Sequence, residues 1–132
     1  MADGQPSITP FKILIVDDDP AVRKVMRRAL EGAGHQVLEA GDGKTAVALM
    51  AEGPDLVLQD LILPDITGYD LVSKLRVRTV GKPIPILALS GFLAQPDEPW
   101  DTSGGFDALL VKPIGPSELV KVVKDWLEKE SR

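Results

Sequence analysis

The sequence of 132 residues contains no cysteine, one histidine and only 5% aromatic residues. The absence of cysteine excludes disulfides, thiolate chemistry and cysteine-ligated metals, so any metal must be held by oxygen atoms or by His35. No run of about 18 apolar residues is present, and the N-terminus lacks the basic-then-apolar order of an export signal, so we expect a cytoplasmic protein without membrane contact. The formal charge of -5 argues against direct nucleic-acid binding, because phosphate contacts need clustered Lys and Arg.

The apolar content of 44% is sufficient for one compact core in a chain of this length. Residues 1–10 contain small and polar residues with two prolines and no periodic pattern, which is typical of a flexible lead-in. We therefore expect a single domain over residues 11–132, with no output domain.

From residue 11 onward, short apolar runs alternate with amphipathic stretches. Strands are expected over residues 12–16, 36–40, 55–59, 84–89 and 107–111. Helices are expected over residues 21–33, 44–52, 69–78 and 116–129. The first strand is apolar on both faces, which is typical of a parallel sheet covered by helices on both sides. The pattern predicts a doubly wound α/β fold with five parallel strands. Residues 92–105 hold two prolines and two adjacent glycines, so a helix there should be short or irregular.

Acidic residues follow two of the predicted strands: Asp17 and Asp18 come after the first, and Asp60 after the third. The carboxyl ends of parallel strands meet at one edge of a sheet, where ligands bind. Two unit charges about 4 Å apart repel by roughly 4 kcal/mol at an effective dielectric near 20, so a cation is needed. Carboxylate oxygens suit Mg²⁺, with Mn²⁺ as a second possibility. Asp19 before Pro20 is instead typical of a helix start.

Asp60 is a candidate nucleophile, because a carboxylate placed after an apolar strand costs desolvation unless it has a role. It could accept a phosphoryl group if nearby cations, such as a metal and Lys112, neutralise the charge. Ser90, after the fourth strand, could donate its hydroxyl to a phosphoryl oxygen. The alternatives are that Asp60 only ends a strand and pairs with Lys112, and that Ser90 is an ordinary turn residue.

Four motifs together resemble one family, the receiver domains of bacterial two-component response regulators (CheY-like proteins). They are ILIVDDDP at residues 13–20, DLVLQDLILP at 55–64 with the glycine at 68, LALS at 87–90 and VKP at 111–113. The resemblance covers residues 11–129. It implies a flavodoxin-like fold of strand order 2-1-3-4-5.

The same resemblance implies roles for individual residues. It implies that Asp60 is the phosphoacceptor, that Lys112 senses the phosphoryl group and that Ser90 is the hydroxyl switch residue. It further implies metal coordination by Asp17, Asp18, Asp60 and the backbone carbonyl of Ile62, and a cis peptide bond at Lys112–Pro113. Leu109 stands where the family usually has the aromatic switch residue, so an aromatic switch is not expected.

The function implied is that of a signalling domain rather than an enzyme. It would accept a phosphoryl group from a sensor histidine kinase or a histidine phosphotransfer protein and would signal to a downstream protein target. It would be a monomer or a weak phosphorylation-dependent dimer.

The main alternative is a degenerate receiver that binds proteins independently of phosphorylation. A haloacid-dehalogenase-type phosphatase fits less well, because Ala21 stands where that class has threonine. A flavodoxin-type flavin module fits poorly, because three aspartates after the first strand would repel phosphate.

Overall fold

The computed structural model describes residues 10–79, 81–91 and 104–130. Within the described residues up to 91, strands and helices alternate as the sequence predicts. The strands are β1 (Lys12–Val16), β2 (Gln36–Ala40), β3 (Leu56–Asp60), β4 (Ile86–Ser90) and β5 (Ala108–Val111). The helices are α1 (Pro20–Gly32), α2 (Gly43–Leu49, continued by a 3-10 turn over Met50–Glu52), α3 (Gly68–Val77) and α4 (Pro116–Glu130).

The five strands form one sheet of order β2-β1-β3-β4-β5, and every neighbouring pair is parallel. This order confirms the fold class and the topology that the family resemblance implies. Because all strands run the same way, the carboxyl ends of β1, β3, β4 and β5 open onto one edge of the sheet. The acidic residues after β1 and at the end of β3 therefore share that edge.

Two apolar clusters cover the two faces of the sheet, and the alternation of side chains in β1 shows how they are divided. Ile13 and Ile15 join the cluster that α1 and α4 complete, whereas Leu14 and Val16 join the cluster under α2 and α3. All four side chains are fully buried. Burying one such side chain stabilises the folded state by about 1.5 to 3 kcal/mol. Because β1 buries side chains on both faces, it favours a sheet that is covered by helices on both sides.

Local signals set the element ends. Asp19 caps α1 by accepting a hydrogen bond from the backbone N–H of Ala21, and Pro20 is the first helical residue. The helix-start interpretation of Asp19 is thus confirmed. β4 begins two residues later than expected because Pro85 has no N–H to donate, although its carbonyl accepts from the N–H of Val57 at 3.0 Å.

Two predictions fall mostly outside the described residues. The lead-in over residues 1–10 is described only at Pro10, and the irregular helix over residues 92–105 only at Gly104 and Gly105. Both stay predictions.

Candidate functional site

Three carboxylates meet at the carboxyl edge of the sheet. Asp17 and Asp18 follow β1, Asp60 ends β3, and one oxygen from each lies within 4.8 Å of the others. Asp17 is fully buried and Asp60 is 7% exposed, while Asp18 faces solvent. Like charges this close repel strongly, so the cluster is stable only with positive charge nearby.

The side chain of Lys112 supplies part of that charge. Its ammonium nitrogen Nζ lies 2.6 Å from Oδ2 of Asp17 and 3.0 Å from Oδ2 of Asp60. Burial by itself lowers the pKa of Lys112 and is the largest single influence. The hydrogen bonds to Asp17 and Asp60, with the attraction of their charges, outweigh it, so the pKa of Lys112 lies above its ordinary value. Lys112 is therefore a fixed cation between two carboxylates.

The carboxylate of Asp60 is held at both oxygens. Oδ1 accepts a hydrogen bond from the backbone N–H of Ile62 at 3.1 Å, while Oδ2 faces Lys112. The loop after Asp60 is closed by an isolated bridge between Ile62 and Thr67, and by a hydrogen bond from the N–H of Gly68 to the carbonyl of Leu61 at 3.1 Å. The loop geometry thus fixes both the carboxylate and the backbone of Ile62.

The other residues implied by the family resemblance lie on the last two strands. Ser90 ends β4, and its carbonyl accepts a hydrogen bond from the N–H of Lys112 at 2.8 Å, so the two residues are neighbours at the sheet edge. Leu109 lies in β5 and is half-buried against the cluster under α2 and α3. The Lys112–Pro113 peptide bond is cis.

The sequence reasoning missed Arg23 as a support for the acidic cluster. Its Nη1 donates to the backbone carbonyl of Asp17 at 2.6 Å, and its Nε donates to Glu39 at 3.1 Å. Glu39 also accepts from Arg27 at 3.0 Å. Because Glu39 lies on β2, sixteen residues along the chain from Arg23, no local spacing signals this network.

Two further polar residues support the loop after β3. Asp65 accepts hydrogen bonds from the backbone N–H groups of Gly43 at 2.8 Å and Lys44 at 3.0 Å, and so joins this loop to the start of α2. The buried amide of Gln59 donates to the carbonyl of Gly68 at 2.9 Å and holds the start of α3 against β3. These contacts depend on tertiary packing, and the sequence pattern gives no sign of them.

The arrangement suits a hard divalent cation. Three carboxylates offer oxygen ligands, one of them exposed to solvent, and no sulfur or histidine belongs to the cluster. Magnesium prefers such ligands and keeps several bound waters, which an open site allows. Beside them, Lys112 and the hydroxyl-bearing Ser90 give the same edge two groups that can contact an anion.

Comparison with known proteins decides the family. The model of the response regulator receiver domain matches residues 13–124. The chain belongs to the response regulator receiver domain family. It is similar to the polar-differentiation response regulator DivK of Brucella anthropi, with 29% identity over 119 residues that cover 89% of this chain and 97% of DivK.

This receiver domain is also similar to the probable transcriptional regulatory protein TcrX of Mycobacterium tuberculosis, at 36% identity over 97% of the chain. The match covers 53% of TcrX, so the chain spans about half the length of that protein. Among solved structures, the receiver domain of the sensor histidine kinase PA1611 from Pseudomonas aeruginosa superimposes with a TM-score of 0.78 at 30% identity. That match covers 90% of this chain and 98% of the PA1611 domain.

Because the chain belongs to the receiver family, it is a domain of two-component signalling. The phosphatase and flavodoxin alternatives are therefore not supported. Within the described residues, no helix is both long and apolar enough to cross a membrane.

Proposed function

We propose that this receiver domain accepts a phosphoryl group on Asp60 from a histidine of a sensor kinase or phosphotransfer protein. The observation that supports this most strongly is the buried Asp60 carboxylate, held 3.0 Å from the Lys112 ammonium beside two further acids. A carboxylate with only a structural role needs one cation. Here three carboxylates share the single ammonium group of Lys112, and the site is open to solvent at Asp18. Such a surplus of negative charge suits a site completed by a metal and an incoming phosphoryl group.

In the proposed transfer, an oxygen of Asp60 forms a bond to phosphorus. The phosphorus–nitrogen bond of the donor histidine breaks, and its electron pair stays on the imidazole nitrogen. The N–H of Ile62 and the Lys112 ammonium orient the carboxylate before attack. Lys112 would then pair with the phosphoryl oxygens, and Ser90 would donate its hydroxyl to one of them. Orientation and charge neutralisation are the main contributions of the protein in such transfers.

Asp17, Asp18, Asp60 and the carbonyl of Ile62 are the residues that would hold Mg²⁺, with Mn²⁺ as a substitute. The metal would supply charge neutralisation at the transferring group. The three carboxylates within 4.8 Å fit this role, and the related PA1611 receiver was solved with a magnesium ion coordinated in its active-site cleft. Arg23 would position Asp17 through its backbone carbonyl.

Phosphorylation would change the contacts of Lys112 and Ser90 and alter binding of a downstream protein. The domain thus acts as a signalling switch whose chemistry is limited to gaining and losing its own phosphoryl group. The aliphatic side chain of Leu109 in β5 is half-buried. The conformational change that follows phosphorylation would therefore be transmitted by repacking of aliphatic side chains, without rotation of an aromatic ring.

The test is phosphorylation by a small-molecule donor. Wild-type protein is incubated with acetyl phosphate and Mg²⁺, and the intact mass is measured. The expected product carries one phosphoryl group, and Asp60→Asn abolishes it. Asp70→Asn, which changes an exposed aspartate at the start of α3, is the matched control and retains the product.

Beryllium fluoride with Mg²⁺ gives a second measurement that does not depend on turnover. Binding should shift backbone NMR signals around Asp60 in the wild type, and Asp60→Asn should lose the shifts. If a folded wild type showed neither phosphorylation nor beryllium fluoride binding, the phosphorylation-independent binding module would be the better description.

A further inference from the structure

A groove of about 520 Å³ lies between α2 and α3, and none of the residues that line it belongs to the acidic cluster. Its apolar wall consists of Val47 on α2, Ile66 in the loop after β3, and Val77 at the end of α3. Val47 and Ile66 pack partly against the core, whereas Val77 is 71% exposed. An exposed valine beside two other apolar side chains leaves an apolar strip that nothing in the described part of the chain covers.

Three cationic side chains line the same groove: Lys44 on α2, Lys74 on α3 and Arg78 at the C-cap of α3. All three are exposed, and among the described residues no ion pair joins any of them to a carboxylate. Lys74 and Arg78 are four residues apart, and because the C-cap residue Arg78 keeps a right-handed helical backbone, both lie on one side of α3. The groove is thus locally basic in a chain with a formal charge of -5.

The only acid that lines the groove within the described residues is Asp65, and its carboxylate is already occupied. Its two oxygens accept the backbone N–H groups of Gly43 and Lys44 at 2.8 and 3.0 Å. Gly43 is also packed so closely on Ile66 that a side chain has no space there. This part of the groove is therefore closely packed. Lys44 interacts electrostatically with the carboxylate of Asp42, whereas no ion pair among the described residues joins Lys74 or Arg78 to a carboxylate.

We propose that the α2–α3 groove binds an acidic amphipathic segment of another protein. The apolar strip would receive the segment's apolar side chains, and its carboxylates would pair with Lys44, Lys74 and Arg78. Opposite charges across an interface favour encounter and fix the register of binding. This inference does not depend on phosphorylation of Asp60.

The groove fits a small phosphate-bearing ligand less well. The backbone N–H groups at the start of α2, which would be its fixed donors, are occupied by Asp65. Small-molecule sites place a few polar groups rigidly around an enclosed space, whereas these cations stand on exposed side chains spread over two helices.

A second copy of the chain also fits less well, because its described helices present no acidic face. The exposed charges of α1 are mainly basic and those of α4 are mixed: Lys24, Arg28 and Glu31 on α1, and Glu118, Lys121, Lys124, Asp125, Glu128 and Lys129 on α4.

The experiment uses a synthetic helix-forming peptide of about 15 residues, with leucine on one face and glutamate on the other. It is titrated into the isotopically labelled full chain, and backbone NMR shifts are followed. We expect shifts confined to the residues around the groove and weakened by salt. A peptide with lysine in place of every glutamate should produce none.

Charge reversal gives the decisive comparison. Lys74→Glu with Arg78→Glu should weaken binding of the glutamate peptide by about fivefold or more, since each exposed pair contributes modestly. Lys24→Glu with Arg28→Glu, an equally spaced exposed pair on α1, is the matched control and should leave the affinity unchanged. Circular dichroism checks that both variants fold. Absent shifts, shifts scattered over the surface, or equal weakening by both double variants would overturn the proposal.

Discussion

Replacing Lys112 by methionine removes the ammonium group that bridges Asp17 and Asp60 while keeping a long side chain. At 2.6 and 3.0 Å, each attraction amounts to about 6 kcal/mol at an effective dielectric near 20. Desolvation of three charged groups offsets most of this, and removing one partner of a buried pair typically costs about 3 to 5 kcal/mol. Because the Lys112 side chain remains 20% exposed, we expect the lower end, about 3 kcal/mol in the free energy of unfolding.

The assay is urea denaturation at neutral pH in the presence of a chelator, compared with the same measurement at saturating Mg²⁺. A divalent ion that binds the folded state stabilises it by mass action. Mg²⁺ should stabilise Lys112→Met more than the wild type, because in the variant the ion no longer competes with an ammonium group for Asp17. The difference between the two proteins should therefore shrink when magnesium is present.

The matched control is Lys124→Met, which removes an exposed lysine whose nitrogen lies 3.8 Å from Glu128. Its cost should stay below about 0.5 kcal/mol and should not depend on magnesium. If Lys112→Met cost less than about 1 kcal/mol, or if its cost were the same with and without Mg²⁺, the electrostatic account of the site would be refuted.

Three further predictions concern the acidic cluster, the loop after β3 and the single histidine. Asp18→Asn should slightly raise stability without metal, because it relieves repulsion among three clustered acids, and should reduce stabilisation by Mg²⁺ in thermal melts. Gly68→Ala should cost about 1 to 3 kcal/mol in urea denaturation, because its Cβ would lie 2.8 Å from the backbone of Leu61; Gly81→Ala, where a Cβ meets nothing within 4 Å, should not. Burial lowers the pKa of His35 from 6.5, so the unfolded state binds more protons and stability should fall as the pH drops below 6.5; thermal melts of His35→Gln should show a weaker pH dependence.

Much of the fold could be predicted from local patterns. The bounds of β1 and β2 agree with the apolar runs at residues 12–16 and 36–40, because those runs begin and end at polar or turn residues. β3 lies one residue later than expected, because Asp60 pairs with Leu89 in the ladder and so belongs to the strand. Leu89, which lies far along the chain from Asp60, therefore determines where β3 ends.

The candidate site divides in the same way. The order of the motifs identified Asp17, Asp18, Asp60 and Lys112, since the carboxyl ends of parallel strands must meet at one edge. Their roles in phosphoryl transfer stay predictions, as do those of Ser90 and the Ile62 carbonyl. The role of Arg23 could not be predicted, because an arginine in an amphipathic helix is ordinarily a solvated surface residue.

By itself, the sequence determined the layered α/β architecture and the acidic edge, because both follow from periodicity and from the order of the elements. Only the tertiary structure decided that Lys112 bridges two carboxylates, that Asp65 accepts the N–H groups at the start of α2, and that the cations of α2 and α3 line one groove. The physical reason is that these contacts join residues distant along the chain. Their distances depend on how helices pack on the sheet, which local patterns do not specify.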